Sequence, residues 1–109
     1  MSIYVVIQWS VTEGAEAEVE RSLGVVRDHI SSEHPGILSV RMFRQFAGPR
    51  PHRAYDWWEE YESLSSLEQQ NATPECDAVW LPIREIAVPG SFRQSIWSDA
   101  GKAVWLEKR

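Results

Sequence analysis

The sequence contains one cysteine in 109 residues. Cys76 therefore has no intrachain disulfide partner, and with no histidine close by it reads as a small buried or incidental residue rather than a nucleophile. Long apolar runs are also missing: none approaches the roughly 20 residues that a bilayer-crossing helix needs. The opening stretch "MSIYVVIQWS" lacks the charged region and small-residue cleavage site of a secretory signal. The expected location is the cytoplasm, with no membrane partner. Positive charge is in deficit, 11 Lys and Arg against 16 Asp and Glu for a net charge of −5. That balance opposes broad attraction to phosphate backbones, so no nucleic-acid partner is expected. His29, His34 and His52 share no metal-ligand spacing, and neither a Gly-rich phosphate loop nor a nucleophile elbow occurs. No metal site is expected.

What the chain does have is 43% apolar residues, enough for one modest core, and six tryptophans. Residues 1–109 read as one domain, with 99–109 as a tail. So many large aromatics in a small chain point to a broad interface, a ligand cavity, or both.

Periodicity divides the chain. "SIYVVIQWSV" reads as a strand apolar on both faces, with Ile3, Val5, Ile7 and Trp9 on one side and Tyr4, Val6 and Gln8 on the other. In "TEGAEAEVERSLGVVRDHISSEHPG", Ala15, Val19, Leu23, Val26 and Ile30 recur at spacings of four and three, the stripe of an amphipathic helix capped by Thr12 and stopped by Pro35-Gly36. "ILSVRMFRQF" and "RAYDWWEEYE" form a hairpin around "AGPRPH". The arginines of "RMFRQFAGPRPHR" then read as solvated strand ends and turn charges, with His52 in the turn. At Ser63 the period changes to helical, with Leu64 and Leu67 after a capping serine. Thr73-Pro74-Glu75 starts another helix with Cys76, Val79, Trp80 and Ile83 on one face, which Pro82 should kink or divide. "SFRQSIWSD" is the last strand, and "KAVWLEKR" reads as a short extra strand or a tail laying Trp105 across a partner.

Strand, helix, strand, strand, helix, strand is the α+β, split βαβ arrangement of ferredoxin-like folds, an antiparallel sheet with helices on one face. Tyr4, Val6, Phe43 and Trp58 make the other face too apolar to stay wet, so a second copy of the chain is expected to cover it. This topology, the Thr12-Glu13-Gly14 helix entry, Pro35-Gly36 and the join "EEYESLSSLEQQNATP" resemble the dimeric α/β-barrel superfamily, with its antibiotic biosynthesis monooxygenase-like and NIPSNAP-like families. The resemblance covers Ile3 to about Trp97 and implies a homodimer closed through the open sheet faces.

The resemblance also implies a cavity under the helices, beside an aromatic at the end of the third strand and a histidine about three helical turns on. Those positions hold Tyr61 and Gln70 here. The first-strand Asn of the haem-degrading branch falls on Ile7. Neither replacement suits iron, so no haem and no other cofactor is expected. Strand alternation puts Tyr55, Trp57, Glu59 and Tyr61 on one face, and the resemblance implies that this face looks toward the helices and the cavity, which makes Trp57, Tyr61, Gln70, Trp80, Tyr55 and Trp9 the candidate ligand-binding residues; the alternative is that the aromatics only fill the core. Glu59, Glu60 and Glu62 are placed where the strand emerges into solvent. His34 is assigned to the helix end, and His29 to its exposed side. No catalytic residue is assigned. The implied function is binding of a small hydrophobic or aromatic ligand, with cofactor-free oxygenation or isomerisation of a phenolic or polyketide-like compound. The alternative is a non-catalytic binding or assembly domain.

Overall fold

A computed structural model describes residues 2–34, 36–50, 53–70, 74–101, 106 and 108, and among them it shows β1 (Ile3–Val11), α1 (Glu16–Glu33), β2 (Ile37–Arg44), β3 (Arg53–Tyr61), α2 (Leu64–Gln70), α3 (Pro74–Ile86) and β4 (Arg93–Ser98). The strands form one sheet in the order β2-β3-β1-β4, with every neighbouring pair antiparallel. This is the ferredoxin-like βαββαβ plan, with its second helix divided into α2 and α3. The proposed strand from the tail, Trp105, His52 and the Thr73 cap lie outside the described residues, as do the side chains of Gln70 and Cys76.

Alternation decides what faces the helices. Ile3, Val5, Ile7, Trp9 and Val11 from β1 join Tyr55, Trp57 and Tyr61 from β3 in a core with Val19, Leu23, Val26 and Ile30 of α1, Leu67 of α2, and Trp80 and Ile83 of α3. Register fixes the contacts, because Trp9 lies opposite Tyr55, Ile7 opposite Trp57, Val5 opposite Glu59 and Ile3 opposite Tyr61. A one-residue slip would turn this whole set to the other face.

α1 starts later than its sequence suggests. Thr12 is not the cap: the first helical residue is Glu16, and Ala15 precedes it without a side-chain cap bond. Gly14, at φ +99°, sits in the left-handed region that interrupts a right-handed helix, and its N–H donates to the Glu16 carboxylate at 3.0 Å. Ser63 does cap α2, accepting from the Ser66 N–H at 3.1 Å. α3 runs unbroken through Pro82. The carbonyl that the proline leaves without its helical donor is that of Ala78, an exposed residue, where water can satisfy it.

Gly24 lies inside α1, where a Cβ would meet only the Arg27 guanidinium at 3.9 Å. Gly24→Ala should therefore raise stability by about 0.5–1 kcal/mol, through the lost entropy of the unfolded chain. A denaturant midpoint unchanged or lowered in the variant would count against this.

Candidate functional site on the helix side of the sheet

Five of the six candidate residues come together under the helices. Trp9 stacks on Tyr55 with centroids 5.6 Å apart, and Trp80 meets Trp9 edge-on at 5.9 Å and Trp57 at 5.3 Å. Tyr61 closes the row at the end of β3. All five are between 0 and 4% exposed, so they form a packed aromatic layer. Gln70 ends α2. Sequence reasoning missed Phe92, which lies outside any strand yet packs against Trp9 at 6.2 Å and Trp80 at 6.3 Å under the Arg84 guanidinium. The Trp9 indole N–H is buried in this cluster without an acceptor.

The expectation that Glu59 is solvated is wrong. Glu62 is exposed and Glu60 is half-buried on the open face, where it accepts from the Ser2 and Ser39 hydroxyls at 2.6 and 3.0 Å. Glu59 itself is buried. It shares the pleat of Trp57 and Tyr61, and that pleat points into the core. The Trp57 indole N–H donates to one of its carboxylate oxygens at 2.9 Å, and the Tyr61 hydroxyl to the other at 3.1 Å. Burial pushes the Glu59 carboxyl above its ordinary range, opposed by those two hydrogen bonds and by the charge of His34. His34 is the buried C-cap residue of α1, with its N–H bonded to the Ile30 carbonyl at 3.0 Å. His29 is half-buried rather than exposed, its ring 5.3 Å from that of His34.

A raised carboxyl pKa means that the folded state binds the proton more tightly than the unfolded one. The contribution of Glu59 to stability is thus complete below its ordinary value of 4.5 and is lost as pH rises through the higher folded value. Each pH unit of that window corresponds to about 1.4 kcal/mol. Glu59→Gln should remove this slope, so the stability difference between wild type and variant should shift toward the variant as pH rises. Parallel stability curves from pH 4 to pH 8 (roughly the span of carboxyl and imidazole titration) would refute it.

Two of the concavities formed by the described residues bear on the site, one on each face of the sheet. On the helix side, a groove of about 180 Å³ lies between α1 and β2, lined by Leu23, Gly24, Val40, Met42 and Trp57, with Glu20 and Arg27 at its ends. It opens onto Trp57. Across the sheet, a depression of about 510 Å³ is lined by Tyr4, Arg41, Phe43, Asp56, Trp58 and Glu60. The Trp58 ring there lies 5.9 Å from Tyr4 and 6.3 Å from Trp97, and Phe43 and Trp97 are about half exposed.

The arginines of the β2–β3 hairpin are less free than expected. Arg53 reaches Glu13 and Glu16 at 3.1 and 2.9 Å, and Arg44 reaches Glu20 at 3.3 Å. Arg50 pairs with Asp56 and donates to the carbonyls of Trp9 and Tyr55 at 3.1 and 3.0 Å. The hairpin is thereby tied to α1 and to the sheet. Among the described residues, no cluster of His, Cys, Asp and Glu could hold a metal ion, and no helix is long and apolar enough to cross a membrane.

The sequence profile of one family, described as antibiotic biosynthesis monooxygenase, matches residues 2–79. Among curated proteins the sequence has no match. Solved structures share the fold at low identity. A candidate antibiotic biosynthesis monooxygenase from Caulobacter crescentus superposes with a TM-score of 0.75 at 19% identity, over 92% of this chain and 91% of its own. SnoaB, a cofactor-independent oxygenase from Streptomyces nogalater, gives 0.75 at 13% identity, over 95% and 98%. A dimeric ferredoxin-like protein of unknown function from Jannaschia gives 0.72 at 13%, over 91% and 100%.

Proposed function

Because the chain belongs to the antibiotic biosynthesis monooxygenase family, we propose that it is a homodimer that binds one small aromatic or hydrophobic ligand per subunit on the helix side of its sheet. The ligand contacts are Trp57 and Tyr61, backed by Trp80, Tyr55 and Trp9, with Gln70 at the end of α2. The activity is a cofactor-free oxygenation or isomerisation of a phenolic or polyketide-like compound. The observation that carries this reading is Glu59, a carboxyl buried among aromatic rings and held by two of the proposed contact residues. A core built only for stability has little use for such a group, because desolvating it costs several kcal/mol. The likeness to SnoaB supports the cofactor-free chemistry, and the groove beside Trp57 supports entry from the helix side.

In this reading the protein does modest work. The aromatic walls hold an already acidic substrate, Tyr61 or Gln70 stabilises its anion, and the electron-rich anion reacts with oxygen. The open sheet face, with Tyr4, Phe43, Trp58 and Trp97, is closed by a second copy, as the dimeric Jannaschia protein supports.

A panel of phenols, naphthols and hydroxylated polycyclic ketones tests the proposal through tryptophan fluorescence and oxygen uptake. Binding should quench the fluorescence, Trp57→Phe should lose most of that response while remaining folded, and at least one compound should consume oxygen without added cofactor. The packing of Trp9, Tyr55, Trp57, Tyr61 and Trp80, all nearly inaccessible, favours a second reading in which the aromatics only build core and dimer. A panel without a single binder decides for that one.

A further inference from the structure

We propose that Glu59 is the proton acceptor for a substrate with an acidic O–H group, a phenol or an enol, and that the Tyr61 hydroxyl passes the proton to it. This deepens the ligand site proposed above and rests on it. The geometry separates the two donors on Glu59 by chemistry. Trp57, at 2.9 Å, holds one carboxylate oxygen with an N–H that can only donate. Tyr61, at 3.1 Å on the other oxygen, carries a hydroxyl that can donate or accept. Only the Tyr61 side can carry a proton in both directions.

The step balances without an oxidant. The substrate O–H bond breaks as its proton joins the Tyr61 oxygen, while the Tyr61 O–H bond breaks as its proton joins Glu59. Two O–H bonds are lost and two are made, and one negative charge moves from the carboxylate to the substrate oxygen. The chain of hydrogen bonds then runs the other way: the neutral Glu59 carboxyl donates to Tyr61, and Tyr61 donates to the new phenolate or enolate. That anion is the electron-rich species that the proposed oxygen chemistry requires.

The surroundings favour this transfer. The residues opposite Glu59 on the neighbouring strands are Val5 of β1 and Val40 of β2. The rest of the shared core is apolar apart from its aromatic polar groups, with Leu67 from α2 and Trp80 and Ile83 from α3. Among the described residues, the titratable groups that bear on Glu59 are Tyr61 on its own strand and His34 at the end of α1, with His29 behind His34. Among the described residues, no lysine or arginine contributes to the shift of Glu59, so none of them pins it in the ionised form. Burial raises its affinity for a proton toward that of the acidic substrate, the matching that efficient proton transfer needs. A residue serving only to brace Trp57 and Tyr61 would share the hydrogen bonds but would not change protonation when a ligand binds.

The test uses 4-nitrophenol, whose neutral and ionised forms absorb at different wavelengths, together with infrared difference spectra of the full chain. At neutral pH the bound probe should be phenolate, and the carbonyl band of a protonated carboxyl should appear on binding and shift when the glutamates are labelled with ¹³C. Glu59→Gln should bind the probe as neutral phenol, without that band, its ionisation midpoint moved up by about one pH unit, a tenfold change in the equilibrium. Glu59→Asp should restore part of the proton uptake. Bound phenolate without a carboxyl band in the wild type overturns the proposal but leaves the ligand site standing, and so does a Glu59→Gln pH profile identical to wild type. If Glu59→Gln does not fold, the labelled wild-type spectrum decides alone. If neither 4-nitrophenol nor any other phenol binds the wild type, the proton acceptor and the ligand site fall together.

Discussion

Trp9→Ala should cost about 3–5 kcal/mol of folding stability, the range for truncating a fully buried large aromatic. The size of the effect follows from position. Trp9 is 0% exposed in β1, a central strand, and it touches Tyr55, Trp80 and Phe92, which come from β3, α3 and the segment before β4. Removing the ring leaves a cavity bordered by three separate parts of the chain, and rigid secondary structure limits how far they can collapse into it. Against a total stability of about 5–15 kcal/mol for an ordinary domain, the loss removes a large share of the reserve and leaves a domain at the low end of that range only marginally folded at 25 °C. Urea titration followed by circular dichroism measures this directly. A loss below about 1 kcal/mol would mean that the cluster is loosely packed, which would itself argue for space that a ligand can enter.

Much of the fold was legible because two simple periods are nearly unbroken. The alternation in "SIYVVIQWSV" assigns Ile3, Val5, Ile7 and Trp9 to the helix side, and the spacing of Val19, Leu23, Val26 and Ile30 identifies the buried stripe of α1. Errors arose where a local signal competed with a longer-range one. Thr12 looks like a helix cap, but the backbone of Gly14 postpones the helix to Glu16. Pro82 looks like a break, yet the bond it removes falls on the exposed side of α3, where water replaces it.

The candidate site shows the same conflict more sharply. The charge of Glu59 places it in solvent, because carboxylates are seldom buried without a cation. The alternation that placed Trp57 and Tyr61 under the helices already required Glu59, two residues from each, to go with them. That signal was present and was outweighed by the rule about charge. Phe92 was also within reach of alternation: "SFRQSIWSD" puts it on one face with Gln94 and Ile96, which lie opposite Ile7 and Val5 of the core side, but β4 itself begins only at Arg93, and the segment before it is held over the sheet where the Val88 N–H bonds to the Ser10 carbonyl at 2.8 Å.

Trp58→Ala should leave the subunit folded and weaken its dimer at least thirtyfold, a loss of about 2 kcal/mol or more, typical of a central interface aromatic. Trp58 points away from the core that holds Trp57. It is half-buried, edge-on to Tyr4 and nearly parallel to Trp97, at the border of the 510 Å³ depression. With Phe43 and Trp97 about half exposed beside it, the face has the aromatic composition of an interface core, and Arg41, Asp56 and Glu60 supply polar groups among the rings. Closing two such faces should bury well over roughly 1,000 Å². Sedimentation velocity across a concentration series checks both the parent state and the variant. The wild type should remain dimeric at micromolar concentration, with a urea midpoint that rises with protein concentration, and Trp58→Ala should dissociate in that range while keeping a folded circular dichroism spectrum and a single cooperative urea transition, its midpoint lower and no longer dependent on concentration. A wild type that sediments as a stable monomer would leave the open face without its proposed occupant. A Trp58→Ala variant that unfolds instead of dissociating would make the ring a structural part of the sheet.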